Sequence, residues 1–170
     1  MNNTTFFRPR LRRAWATAIF SIAALLLFAQ AASAASWHDI EPLKSRRADV
    51  ERLLGHPLRD QPGAEGTLQF KVNGGMVTIA FVSARFVENK KLSRELEGTV
   101  LQIILQHDNS TDTPESLGLA GKNGFVHEDH QGATIYSNQK EGIVYTFYDG
   151  RLKTTRYTPS SQQLGKARRG

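Results

Sequence analysis

The sequence predicts an α+β domain, with short helices packed on an antiparallel sheet. Three observations predict it. Val50, Leu53 and Leu54 recur at i, i+3 and i+4, which is one apolar helical stripe. Two alternating runs, Leu68/Phe70/Val72 and Val77/Ile79/Phe81, flank Asn73-Gly74-Gly75, a hairpin signature. A second pair of alternating runs flanks Asp149-Gly150. Short helices followed by antiparallel strands make an α+β layer, and their order allows two tandem helix-plus-hairpin units.

The first helix is expected over residues 46–54, with Ser45 as N-cap, Gly55 at the C′ position and Pro57 preventing continuation. Residues 58–66 read as a polar connection. In the hairpin, a loop of Asn73-Gly74 sets Phe70 against Val77 and Leu68 against Ile79. A loop of Gly74-Gly75 sets Phe70 against Ile79. Both keep every apolar side chain on one face, whereas a three-residue loop would not. Residues 88–98 are charged and read as an exposed loop with at most one helical turn. Residues 100–106 form a strand with Leu101, Ile103 and Leu105 inward. Thr113-Pro114 starts a weak helix, interrupted by Gly118 and Gly121. Residues 133–137, 143–148 and 152–157 are strands. In the last hairpin Phe147 is expected to face Leu152, and Tyr145 to face Thr154. Gly75 to Phe81 loosely echoes Gly142 to Phe147, each run following a polar turn.

The N-terminus has a different composition. Arg8, Arg10, Arg12 and Arg13 precede an apolar run over residues 14–28, and small residues fill 31–35. That order is the layout of a cleavable secretory signal peptide, with Ala32-Ser33-Ala34 as the A-x-A site. The residues after Arg12-Arg13 match a twin-arginine signal poorly, so the general secretory route is expected, to a bacterial periplasm or beyond. The expected organisation is a signal peptide at 1–34, one domain at 35–158 and a disordered basic tail at 159–170. No membrane span remains after cleavage, and the chain has no cysteine for a lipid anchor or a disulfide.

The whole chain carries 22 Lys+Arg against 16 Asp+Glu, a net charge of +6. Four of those arginines lie in the signal peptide, leaving a net of +2 for the exported part. Without Lys166, Arg168 and Arg169 the body is at −1. A nucleic-acid partner is therefore not expected, since it needs a basic face on the domain itself.

The segment at 40–57, with Pro42-Leu43, Ser45, Asp49-Val50 and Leu53-Leu54-Gly55-His56-Pro57, resembles the opening of an uncharacterised family of secreted bacterial proteins. Glu141-Gly142-Ile143-Val144-Tyr145 and Asp149-Gly150 extend that resemblance. More distantly, the LLG-x-P segment followed by a hairpin is similar to the SmpA/OmlA (BamE-like) outer-membrane-assembly lipoproteins and to β-lactamase-inhibitor-protein domains. The distant likenesses imply a binding module, with a helix-plus-sheet unit that is repeated in the inhibitor fold. The secreted family implies no activity.

Chemistry-bearing residues are sparse. His127-Glu128-Asp129-His130 is the one dense cluster of metal-capable side chains, in a loop or strand between Gly124 and Gly132. Its i, i+3 spacing departs from the i, i+4 of a helical metal pair. His107-Asp108 has the composition of an oriented imidazole, but no serine sits in a G-x-S-x-G elbow. His56 reads as a turn residue. No catalytic, cofactor-binding or metal-ligating residue is assigned, and no cofactor is expected. The expected function is a non-catalytic module that binds another protein or an envelope component. The alternatives are a metal-dependent hydrolase using His127 and His130, and a small-ligand carrier.

Overall fold

A computed structural model describes residues 35–61 and 66–168. The expected signal peptide lies outside the described residues.

Helix α1 (Arg47–Leu54) forms where the apolar stripe predicts it. Its N-cap is Arg46 rather than Ser45: the Asp49 carboxylate accepts the Arg46 N–H at 2.9 Å. Ser45 Oγ accepts the Glu41 N–H instead, closing the turn before the helix. Gly55 ends α1 at φ +81°. The polar connection contains a short strand, β1 (Arg59–Gln61). Strands β2 (Thr67–Val72) and β3 (Gly75–Phe81) form the first hairpin, with Phe70 paired to Val77 and Leu68 to Ile79. Asn73-Gly74 is therefore the loop. Gly75 is required for another reason: a Cβ there would lie 1.8 Å from the Gln106 carbonyl oxygen on the next strand.

The charged stretch expected as an exposed loop carries helix α2 (Ala84–Lys90) and a 3-10 turn (Arg94–Leu96). Ser83 caps α2 by accepting the Phe86 N–H. Val87 and Leu92, spaced i and i+5 among the charges, are buried. Strand β4 (Val100–His107) pairs with β3 through a bulge at Ala80/Phe81. That bulge turns Val100 into the core. Leu101 packs instead with the cluster of Val82, Val87 and Leu92.

After β4 the expected weak helix is only a run of turns. Thr113 Oγ1 does accept the Ser116 N–H, but the glycines stop propagation. Strands β5 (Val126–His130), β6 (Ala133–Asn138), β7 (Ile143–Tyr148) and β8 (Arg151–Tyr157) follow. Phe147 pairs with Leu152, but Tyr145 pairs with Thr155 rather than Thr154, because a bulge sits between Thr146 and Phe147 in the β7–β8 register. The stretch expected as a disordered tail holds helix α3 (Ser161–Ala167). Ser160 and Gln163 form a capping box, and the Gln163 amide donates to Glu41 Oε1 and the Pro42 carbonyl.

The eight strands make one antiparallel sheet in the order β1-β2-β3-β4-β8-β7-β6-β5. It consists of two four-stranded meanders, β1–β4 and β5–β8, joined by pairing of their last strands. The result is a strand-rich α+β fold. Among the described residues no helix layer covers the sheet, and only α1 sends side chains, Val50 and Leu54, into the main core. The second meander has no α-helix preceding it among the described residues, so tandem helix-plus-hairpin units are not present. No helix of the described residues is long and apolar enough to cross a membrane.

Candidate functional site

Strand register divides the sheet into two faces, since successive side chains alternate. One face holds the cores: Leu68, Phe70, Val77, Ile79, Ile103 and Leu105 in the first meander, Phe147 and Leu152 in the second. The lead-in with Trp37 and Ile40, together with α1, covers the first part. Leu117, Leu119 and Phe125 cover the second.

The opposite face is open among the described residues. One row of paired residues crosses all eight strands: Arg59, Gln69, Thr78, Ile104, Arg156, Val144, Ser137 and Val126. A neighbouring row runs Lys71, Met76, Gln106, Thr154, Thr146, Ile135 and Glu128. At a usual strand spacing the first row is about 34 Å long and the second about 29 Å. None of Met76, Ile104, Ile135 and Val144 belongs to an apolar cluster of the described residues. The hydroxyls of Thr78, Thr146 and Thr154 and the amides of Gln69 and Gln106 make no side-chain hydrogen bond among the described residues. Helix α2 stands at one end of this face. Thr67, Ala80 and Gln102 line a groove of about 580 Å³ with Arg85, Phe86 and Asn89. Tyr148, 48% exposed, lies at the margin, paired with Arg151.

Arg156 sits near the middle of the open face, on β8, between Ile104 of β4 and Val144 of β7. It has no acidic partner among the described residues. By contrast Arg47 is held by Asp60 at 2.9 Å, and Lys71 by Asp108 at 2.9 Å. An unpaired guanidinium flanked by aliphatic side chains is ready for a planar, bidentate acceptor.

On the covered face, a cleft of about 370 Å³ opens between the lead-in, α1 and the first hairpin. Trp37, Leu54, Val72 and Leu105 supply apolar walls, and His107 a polar group. His107 Nε2 lies 3.0 Å from Thr155 Oγ1, across the junction of the two meanders. Burial pushes its pKa down, against the attraction of the Asp112 carboxylate.

The histidines named from sequence are not brought together. Odd spacing along β5 puts His127 and His130 on opposite faces. His127 stacks on Tyr136, with ring centroids 4.9 Å apart, and lies 3.3 Å from Asp129 Oδ1. The Thr134 hydroxyl, and then His127, hold the Asp129 carboxyl below its usual range. His130 shares a face with Glu128. No group of three metal-capable side chains converges among the described residues. His107 and Asp108 also diverge, the one toward Thr155 and the other toward Lys71. His56 is exposed in the turn after α1.

Sequence reasoning missed the rows of the open face. The residue types were visible, but their alignment depends on β4 pairing with β8, which no local signal encodes.

Fold and site together define a strand-rich α+β protein of two joined meanders, with one sheet face uncovered among the described residues. No family model matches the chain, and no curated protein does. Among solved structures it is similar to a DUF4309 family protein (YjgB) from Bacillus subtilis subsp. subtilis str. 168, at 16% sequence identity. That match covers 72% of this chain and 83% of the other, with a TM-score of 0.47.

Proposed function

We propose that this chain is an exported binding module that takes another protein or an envelope component on the open face of its sheet. The observation that carries the reading is the pair of uncovered rows. They combine half-buried aliphatics, solvent-facing hydroxyls and amides, and a central arginine without an acidic partner among the described residues. Interfaces are built from that mixture: an apolar centre, polar groups awaiting partners, and Arg or Tyr anchors. The N-terminal pattern of charge, apolar run and A-x-A supports export. The resemblance of residues 40–57 to secreted and envelope-assembly proteins supports the same reading.

The test is affinity capture from an envelope fraction with wild type and with Thr146→Trp, which sets a bulky uncharged side chain in the middle of the face. The expected result is a reproducible partner held by wild type and lost by the variant at unchanged melting temperature. Repeated empty captures, or a partner set indifferent to the variant, contradict the reading.

A second reading is favoured by the Trp37–His107 cleft, whose apolar walls and few polar groups (His38, Asn73, Gln106 and His107) suit a small ligand. Its test is quenching of Trp37 fluorescence by small aromatic compounds. Quenching that Leu105→Trp abolishes supports a carrier role.

A further inference from the structure

The charge on the open face is unlike that of the domain as a whole. The body of the chain is close to neutral, but the charges are sorted. Arg59, Arg151 and Arg156 lie on this face, and no ion pair holds them among the described residues. Lys71 is there too, already paired with Asp108. The rows contain one carboxylate, Glu128, and it stands on the edge strand. Arg156 is therefore the one charge near the centre of the face, with Arg59 on one edge strand, Glu128 on the other and Arg151 at the β7–β8 turn.

The surrounding side chains narrow the kind of anion. A single-stranded nucleic acid would need aromatic platforms under its bases. The two central rows hold no aromatic residue. A membrane surface would call for clustered lysines beside protruding large apolar groups. The rows instead offer Thr, Gln and Ser between the arginines, which suit the amides and hydroxyls of a protein surface. Arg156 is exposed, with Ile104 and Val144 beside it on the neighbouring strands, so its planar guanidinium is accessible to a carboxylate.

Resting on the reading above, we infer that the partner is an acidic protein, with an Asp or Glu carboxylate seated on Arg156 between Ile104 and Val144. Arg59 and Arg151 steer the approach from the two sides of that point. Their charge raises the association rate and makes binding salt-sensitive.

Titration of the purified chain with poly-L-glutamate tests this, read by methyl NMR and by affinity. The expected result is shifts at Ile104, Ile135 and Val144, with Ile79 and Ile103 on the covered face unmoved. Arg156→Glu should weaken binding by about tenfold or more, the usual cost of a lost charge-assisted bond. Arg94→Glu makes the same charge change off this face and should alter affinity by less than about twofold. The inference is overturned if poly-L-glutamate leaves these methyls unmoved, or if Arg94→Glu weakens binding as much as Arg156→Glu. Tighter binding of phosphatidylglycerol vesicles or of a single-stranded oligonucleotide through the same methyls overturns it as well. A partner captured from the envelope that Thr146→Trp releases but Arg156→Glu retains would sink the acidic partner alone and leave the binding face standing.

Discussion

The two meanders have the same strand count and very different interiors. The β1–β4 half buries ten apolar residues in one cluster, with Trp37, Leu54, Val72 and Tyr157 against its margin. The β5–β8 half buries only Leu119, Phe147 and Leu152 in its own cluster, lined by Tyr136, Tyr145 and Phe125. The first half is closed by a helix and a lead-in, the second by turns. A four-stranded sheet with so small a core gains little from burial alone. The second half is therefore held largely by its ladder to β4, and by His107 reaching Thr155. The contrast teaches that equal topology does not mean equal stability. What decides is the covering segment. On the open face the halves are alike, which suits a surface used as one unit.

The largest test of this contrast is a pair of truncations. Phe70→Ala should cost about 3–5 kcal/mol and lower the protection of the whole sheet. Phe147→Ala should fall at the lower end of that range, with hydrogen exchange rising across β6–β8 while β2 and β3 stay protected. Uniform loss from both variants would show one core where two are described.

The next test uses matched glycines. Gly75 begins β3 and Gly142 precedes β7, the third strand of each meander. A Cβ would lie 1.8 Å from the Gln106 carbonyl oxygen at the first and 2.1 Å from the Thr158 carbonyl oxygen at the second. Each Gly→Ala change should cost about 2–3 kcal/mol in denaturant melts. Gly74→Ala meets open space and carries only the strain of φ +82°, so it should cost about 1 kcal/mol.

A smaller effect separates the two hairpin turns. Asn73-Gly74 turns on its own geometry. The β6–β7 turn relies on buried Asn138, whose Oδ1 accepts the Lys140 and Glu141 N–H groups. Asn138→Ala should cost about 1–2 kcal/mol, because it strips the acceptor from both amides.

The smallest is a pH effect at the junction. Burial holds the His107 imidazole below its ordinary 6.5, so the unfolded chain takes up its proton more readily than the folded one. Stability from this group is intact above about pH 6.5 and declines as pH falls through the folded pKa. Melting curves of His107→Gln should lack that decline, and an unchanged decline would place its origin elsewhere.

Much of this architecture was legible locally. Helix α1, the Phe70–Val77 register and the Phe147–Leu152 pair follow from periodicity and turn chemistry, which act over a few residues. The echo at Gly75 and Gly142 also has a physical cause in the close backbone approach at both sites. Other features were hidden. Helix α2 lies under a charged surface that masks Val87 and Leu92. Helix α3 has few apolar residues and depends on Gln163 reaching Glu41 and Pro42, far away in sequence. The bulges at Ala80/Phe81 and Thr146/Phe147 shift registers in ways alternation does not announce. The candidate site was the least legible part. Net charge averages over a surface, so a near-neutral body concealed a face with unpaired arginines.

Methyl NMR of the chain with its captured envelope partner tests the central claim most directly. Binding on the open face should perturb Met76, Ile104, Ile135 and Val144 and leave Val77, Ile79 and Ile103 unmoved. Shifts confined to Leu54, Val72 and Leu105 around the Trp37 cleft would contradict it.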